Sequence, residues 1–240
     1  MRINKFLTRC GVSSRRQADV LIQKGKVTVN GKVLESPGHI VDAAKDVVCV
    51  DGKRVTPIDD FTHIVLNKPS GYLTSRNDPH HKTTVIDLLK DIPQRINPVG
   101  RLDLDTEGVL LLTNDGELAF RLTHPRYSIK RVYRARVKGK MVSETLSLFQ
   151  KGIKLPDGAV GKANVSIIST SVNQSEIELE LTEGRKREVK HLCEAAGHPV
   201  IKLKRISFGG ITCRGLKKGR WRELTDAEID NLKSITGLTG

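Results

Sequence analysis

Short apolar runs separated by turn signals set the pattern of this chain, and the most apolar of them is Val109-Leu110-Leu111-Leu112. Gly108 bounds it on one side and Asn114-Asp115-Gly116 on the other, which predicts a buried strand. Upstream, Ile3, Phe6 and Leu7 recur at helical spacing within Met1 to Cys10. Gly11 interrupts, and Ser13 or Ser14 can cap a second helix, Arg15 to Lys24, that buries Ala18, Leu21 and Ile22 before Gly25 stops it. Val27-Thr28-Val29 and Lys32-Val33-Leu34 flank Asn30-Gly31, which predicts a hairpin. Val47 to Val50, ahead of Asp51-Gly52, predicts a further strand.

Thr56 to Phe61 carries a Pro and two acids and reads as a linker. Beyond it the pattern predicts a strand at His63 to Leu66, a short helix at Val85 to Leu89 and a helix at Glu117 to Thr123. Ile129 to Lys138 alternates apolar and basic positions and reads as an edge strand. Ser143 is expected to cap a helix running to Gln150. Strands are expected at Val160 to Ile168, Glu176 to Leu181, Val200 to Leu203 and Ile206 to Ile211. A helix is expected over Glu188 to Ala196, and a last one capped by Thr225 with Glu228 as its capping-box partner. Residues 236 to 240 should fray. Strands and helices mix without regular alternation, so the fold class is α+β.

Charge changes the picture. Lys and Arg number 41 against 27 Asp and Glu, a net charge of +14, so the default partner is a polyanion. Within residues 1 to 32 the sole acid is Asp19. Nucleic acid fits better than a membrane surface, because no basic amphipathic stretch carries a strong Trp/Phe/Leu face. Three Tyr, five Phe and one Trp are too few to advertise a single-strand stacking platform. Cys10, Cys49, Cys193 and Cys213 form no CxxC pair, which argues against a zinc site or disulfide framework and for free, buried thiols in a reducing compartment. His80 and His81 are adjacent, so their side chains diverge; they read as loop residues near RNA and not as a metal pair. With no apolar run of spanning length and no signal-peptide core, the chain is expected to be cytoplasmic. A monomer is the default.

Candidate chemistry sits just before the central strand. Gly100-Arg101-Leu102-Asp103-Leu104-Asp105-Thr106-Glu107-Gly108 places three acids on and beside a loop feeding a buried strand. A rigid scaffold could there hold a carboxylate out to a substrate, although Asp also simply caps turns.

Two resemblances give this a direction. The helix, turn, Ser-Arg-Arg-containing helix and Val-x-Val-Asn-Gly-Lys hairpin resemble an S4 RNA-binding domain, which implies that Arg2, Lys5, Arg15 and Arg16 face structured RNA. The Gly-Arg-Leu-Asp stretch is similar to the motif of pseudouridine synthases. Its continuation through Thr113-Asn114-Asp115-Gly116 resembles the ribosomal-RNA branch typified by RsuA, RluB, RluE and RluF. Leu66-Asn67-Lys68-Pro69, Tyr133 in its basic strand, Glu183-Gly184-Arg185-Lys186-Arg187-Glu188-Val189-Lys190 and Arg222-Glu223-Leu224-Thr225 follow in that branch's order.

The resemblance implies an S4-like domain over residues 1–58 and a catalytic domain over 59–240 with a mixed, mainly antiparallel sheet. It implies isomerisation of a uridine in ribosomal RNA, free or in a pre-ribosomal particle, with no cofactor and no metal. Asp103 corresponds to the catalytic aspartate, with Asp105 its nearby rival. Tyr133 corresponds to the tyrosine that packs on the target base, and Lys190 to the basic residue that pairs with the aspartate. Arg101, Leu102, Lys68 and Arg185 are expected to contact substrate. Arg187 and Glu188 depart from the branch's usual residues. Large-subunit RNA is favoured over small-subunit RNA. A non-catalytic assembly factor is the competing reading; an S4-bearing tRNA synthetase would need a nucleotide-binding signature that the chain lacks.

Overall fold

In this computed structural model the described residues are 1–58, 60–76, 78 and 83–238. The expectation for His80 and His81, and that for the last two residues, fall outside them. The chain divides into two compact units: Met1–Phe61 with residues 114–116, and Thr62–Thr113 with the chain from Glu117 onward.

In the first unit α1 (Ile3–Arg9) and α2 (Arg15–Gln23) precede a four-stranded antiparallel sheet. Its strands are β1 (Val27–Val29), β2 (Lys32–Val33), β3 (Val48–Val50) and β4 (Lys53–Arg54), in the order β2-β1-β3-β4. Ser14 starts α2: its hydroxyl accepts from the Gln17 amide at 3.3 Å, and the Gln17 side chain accepts from the Ser14 amide at 3.3 Å. That reciprocal pair satisfies two backbone donors a helix start otherwise leaves open. Asn30 (φ 51°) and Gly31 (φ 80°) both adopt the left-handed conformation that a two-residue hairpin turn needs. Ile3, Phe6, Leu7, Ala18, Ile22, Val27, Val41 and Val48 form the core.

The second unit contains, in order, β5 (His63–Lys68), a 3₁₀ turn (Val85–Leu88), β6 (Asn97–Pro98), β7 (Glu107–Thr113), α3 (Gly116–Thr123) and β8 (Arg131–Lys138). Then come α4 (Ser143–Lys151), β9 (Ile153–Lys154), β10 (Val160–Gly161), β11 (Asn164–Thr170) and β12 (Gln174–Leu181). The chain ends with α5 (Glu188–Ala195), β13 (Val200–Phe208), β14 (Ile211–Thr212), β15 (Trp221–Glu223) and α6 (Asp226–Ile235). One sheet runs β11-β12-β8-β13-β7-β5-β15, with β14 added to β13 and β6 to β7; β9 and β10 pair separately. The sheet is mixed and mainly antiparallel: β13 with β7 is parallel, and the other described pairs are antiparallel.

All seven residues of β7 are buried. Val109 and Leu111 pack with Leu118 and Leu122 of α3 and Leu232 of α6, whereas Leu110 and Leu112 pack with Val85, Leu89 and Ile96. Covering on both faces is why the run is continuously apolar.

Several expected elements differ. Ile129 to Lys138 is no edge strand: β8 lies between β12 and β13. Ser143 does not cap α4, whose N-cap is Val142 without a side-chain bond. The expected strand at 160–168 is broken into β10 and β11, and Val200 to Phe208 is one strand through a register shift. All four cysteines are free, but Cys193 alone is buried, where desolvation pushes its thiol up to about 12.

Candidate active site

A small open pocket lies in the second unit. Arg101, Leu102, Asp103 and Thr106 line it from the loop before β7, Tyr133 from β8, Leu181 from β12 and Leu203 from β13; residues 183–185 and 187–190 close it. Four stretches far apart in sequence thus meet around Asp103.

The loop carrying Asp103 is held from below. Lys68, the last residue of β5, has no exposed surface. Its ammonium donates to the carbonyls of Pro69 (3.1 Å), Asp103 (3.1 Å), Leu104 (3.3 Å) and Thr106 (2.9 Å). Burial pushes it down to about 8 from 10.5, against the pull of Asp105, Asp103 and Glu107. The expectation that Lys68 contacts RNA is therefore corrected: its donors are spent on the loop backbone. Thr74 adds a second tether, donating to the Leu102 carbonyl at 2.8 Å, and the Gly71 amide donates to the Leu104 carbonyl at 2.8 Å.

On the far side of the loop, Gly108 lets β7 approach β13. A Cβ at Gly108 would lie 2.1 Å from the Arg205 carbonyl oxygen, and its φ of 103° suits glycine. Arg205, buried, donates from Nε to the Val109 carbonyl at 2.8 Å and stacks 4.7 Å from the Phe208 ring centre.

The charges around Asp103 come from α5 and the turn before it. Lys190 Nζ lies 3.5 Å from Asp103 Oδ2, and Arg187 Nη1 lies 3.9 Å from the same oxygen. Lys190 bonds more closely to Asp105, donating to both its oxygens at 2.6 and 2.8 Å. That hydrogen bond holds the Asp105 carboxyl below the usual carboxylate range. Lys190 is thus shared between two carboxylates, where the resemblance implied a pair with Asp103. Arg187 reaches Asp103 because it turns the chain into α5 with a left-handed φ of 55°. Glu188 is buried, accepts from the Arg185 amide at 3.0 Å, and is pushed up mainly by burial.

Leu102, Leu181, Val189 and Leu203 supply apolar walls, and Tyr133 is half-buried among them. A flat ring could lie against Tyr133 with one edge toward Asp103. Arg101 and Arg185 are exposed on the rim; Arg185 also donates to Glu183 at 2.7 Å. Arg2, Lys5, Arg15 and Arg16 are exposed in the first unit. Asp105 and Arg187 as partners, and Lys68 as a tether, carried no signal in sequence spacing. Among the described residues no cluster of His, Cys, Asp and Glu could hold a metal.

Residues 62–195 match the RNA pseudouridylate synthase family, and residues 1–48 match the S4 domain. The chain belongs to the RNA pseudouridylate synthase family. It is 47% identical to an RNA pseudouridine synthase of Aquifex aeolicus, covering 99% of this chain and 96% of that protein. It is 42% identical to ribosomal large subunit pseudouridine synthase B of Bacillus subtilis, over 98% and 96% of the two chains. A crystal structure of a pseudouridylate synthase superposes with a TM-score of 0.69 at 27% identity, covering 97% of this chain and 99% of the other.

Proposed function

We propose that this enzyme isomerises one uridine of large-subunit ribosomal RNA to pseudouridine, with Asp103 as the acting carboxylate. The observation that carries the reading is the convergence of Asp103, Tyr133 and Lys190 on one pocket from three separate elements. The names of the Bacillus subtilis protein and of its counterparts in Pseudomonas aeruginosa and Yersinia pestis (38% and 35% identical) support the large subunit.

The reaction breaks the N1–C1′ bond, turns the uracil over and joins C5 to C1′; the proton leaving C5 is balanced by one gained at N1. No electrons are exchanged, so the step asks for positioning and charge and for no redox partner. Asp103 is one-third exposed at the pocket mouth, where a flipped uridine would enter. Lys190 and Arg187 set positive charge 3.5 and 3.9 Å from its Oδ2, beside a carboxylate that can attack or take a proton. Tyr133 stacks on the uracil and Arg101 and Arg185 meet flanking phosphates. Exposed Arg2, Lys5, Arg15 and Arg16 of the S4-like unit hold folded ribosomal RNA, or a pre-ribosomal particle, by its phosphates. Arg15 and Arg16 stand in the first turn of α2, where the helix dipole adds to their charge.

The test is carbodiimide mapping of pseudouridine in both ribosomal RNAs from a strain lacking the gene, rescued with wild type or with Asp103→Asn. The expected result is one missing large-subunit site, restored by wild type and not by Asp103→Asn. Full restoration by Asp103→Asn would remove Asp103 from the chemistry. No missing site at all would favour a binding factor.

A further inference from the structure

We propose that Phe120, His124, Arg126 and Tyr127, at the C-terminal end of α3, form a stacking site for an unpaired RNA base next to the target uridine. The inference rests on the reading of the pocket as a uridine site.

The cluster is an aromatic surface facing water. Phe120 is 44% exposed, and His124 and Arg126 are exposed. The Phe120 and His124 ring centres lie 5.0 Å apart, Phe120 and Tyr127 6.5 Å, and His124 and Tyr127 6.3 Å. The Arg126 guanidinium sits 4.5 Å over the Tyr127 ring and 5.8 Å from that of Phe120, and it donates to the Tyr127 hydroxyl. Such alternation of rings and a guanidinium matches what a base and its phosphate offer: a π face and a negative charge. A purely apolar partner would leave Arg126 buried without an anion.

The rings are already set in place. Pro125 to Tyr127 form a 3₁₀ turn, the His124 ring accepts from the Arg126 amide at 3.3 Å, and Ser128 ends the turn with φ 49°. A pre-set surface loses little freedom when it binds.

Position ties the cluster to the pocket. The Leu122 carbonyl accepts from Arg131 at 3.1 Å, and the same guanidinium donates to the Thr182 carbonyl at 2.8 Å. It also packs under Gly184, where a Cβ would lie 3.3 Å from its Cζ. On the other rim, Gly100 packs on Thr123, a Cβ there lying 3.6 Å from Thr123 Cγ2. The last turn of α3 therefore packs on Gly100, next to Arg101 of the rim, and is linked through Arg131 to Thr182 and Gly184 on the other side.

The experiment measures binding of the full chain to an unmodified large-subunit rRNA transcript at fixed salt, for Phe120→Trp, Phe120→Leu, Phe120→Ala and Arg126→Gln, with Tm recorded for each. Stacking predicts wild-type-like affinity for Phe120→Trp and a Kd raised about 5- to 100-fold for Phe120→Leu and Phe120→Ala, at unchanged Tm for Phe120→Leu. Arg126→Gln should lower the slope of log Kd against log salt by roughly 0.7–0.9, one phosphate's worth. In Phe120→Trp the new indole should be quenched by the transcript beyond any change at Trp221. Wild-type affinity in Phe120→Leu, or an unquenched Trp at 120, would overturn the proposal. Tritium release from a [5-³H]uridine-labelled transcript by wild type is scored beside it. Release without the stacking pattern rejects this site alone; the stacking pattern without release rejects the catalytic reading and leaves an RNA surface.

Discussion

Lys68 keeps its charge in the interior because four carbonyl oxygens, three of them from the Asp103 loop, converge on it. Replacing it by Met would take the ammonium from the Pro69 and Thr106 carbonyls, while the Asp103 and Leu104 carbonyls keep the Thr106 and Gly71 amides. The expected cost is about 2–5 kcal/mol, a fall in Tm of roughly 5–15 °C, with activity lost as the loop loosens. Differential scanning calorimetry and tritium release check both; an unchanged Tm would show that water replaces the ammonium at no cost. The pH dependence has a definite sign. The folded-state value of about 8 lies below the ordinary 10.5, so between these the unfolded chain binds the extra proton. Stability from this group therefore rises with pH across that window. Turnover should move the other way, falling above about pH 8, because a neutral amine offers two donors to four carbonyls. A flat rate from pH 7 to 10 would refute the tether.

At the scale of elements, the parallel contact of β7 with β13 places the Asp103 loop beside the pocket, and Gly108 permits it. Gly108→Ala meets a backbone oxygen at 2.1 Å in a conformation that L residues rarely adopt. A loss of about 2–4 kcal/mol is expected, with activity falling alongside. Gly116→Ala is the control: nothing lies within 4 Å of its Cβ at the start of α3, so stability should rise by about 0.4–1 kcal/mol. Chemical denaturation of the two variants separates the cases, and equal stabilities would mean that β7 can shift away from β13. The same sheet explains why so basic a strand as β8 is central. Glu178 stands opposite Arg134 and Glu176 opposite Arg136 on β12, so the neighbouring strand supplies the counter-charge. Arg134 lies 3.6 Å from Glu178, and Lys130 3.1 Å from Glu180.

For the whole molecule, the +14 charge should appear as salt dependence. Reversing Arg15 and Arg16 to Glu in the S4-like unit is expected to weaken binding of an rRNA transcript. It should also lower the slope of log Kd against log salt by about 1.5–2, as two phosphate contacts are lost. Titration between 50 and 200 mM KCl checks it. An unaltered slope would mean that these arginines face solvent in the complex, with the charge acting elsewhere.

Sequence by itself determined what depends on near neighbours and on composition. The α2 capping box, the Asn30-Gly31 turn, the buried run at 109–112 and the polyanion partner follow from local backbone chemistry and net charge. The Gly-Arg-Leu-Asp motif with its ordered companions marked Asp103, Tyr133 and Lys190. Tertiary structure decided what depends on approach between distant segments. It made Lys68 a buried tether in place of an RNA contact, since only the fold brings the Asp103, Leu104 and Thr106 carbonyls over the end of β5. It divided Lys190 between Asp103 and Asp105 and turned Arg187 toward Asp103, because helix α5 must pack before its charges have partners. It put β8 inside the sheet, beside β12, whose acids lie some forty residues further along the chain. Spacing along a chain encodes faces and caps; it does not encode which faces meet.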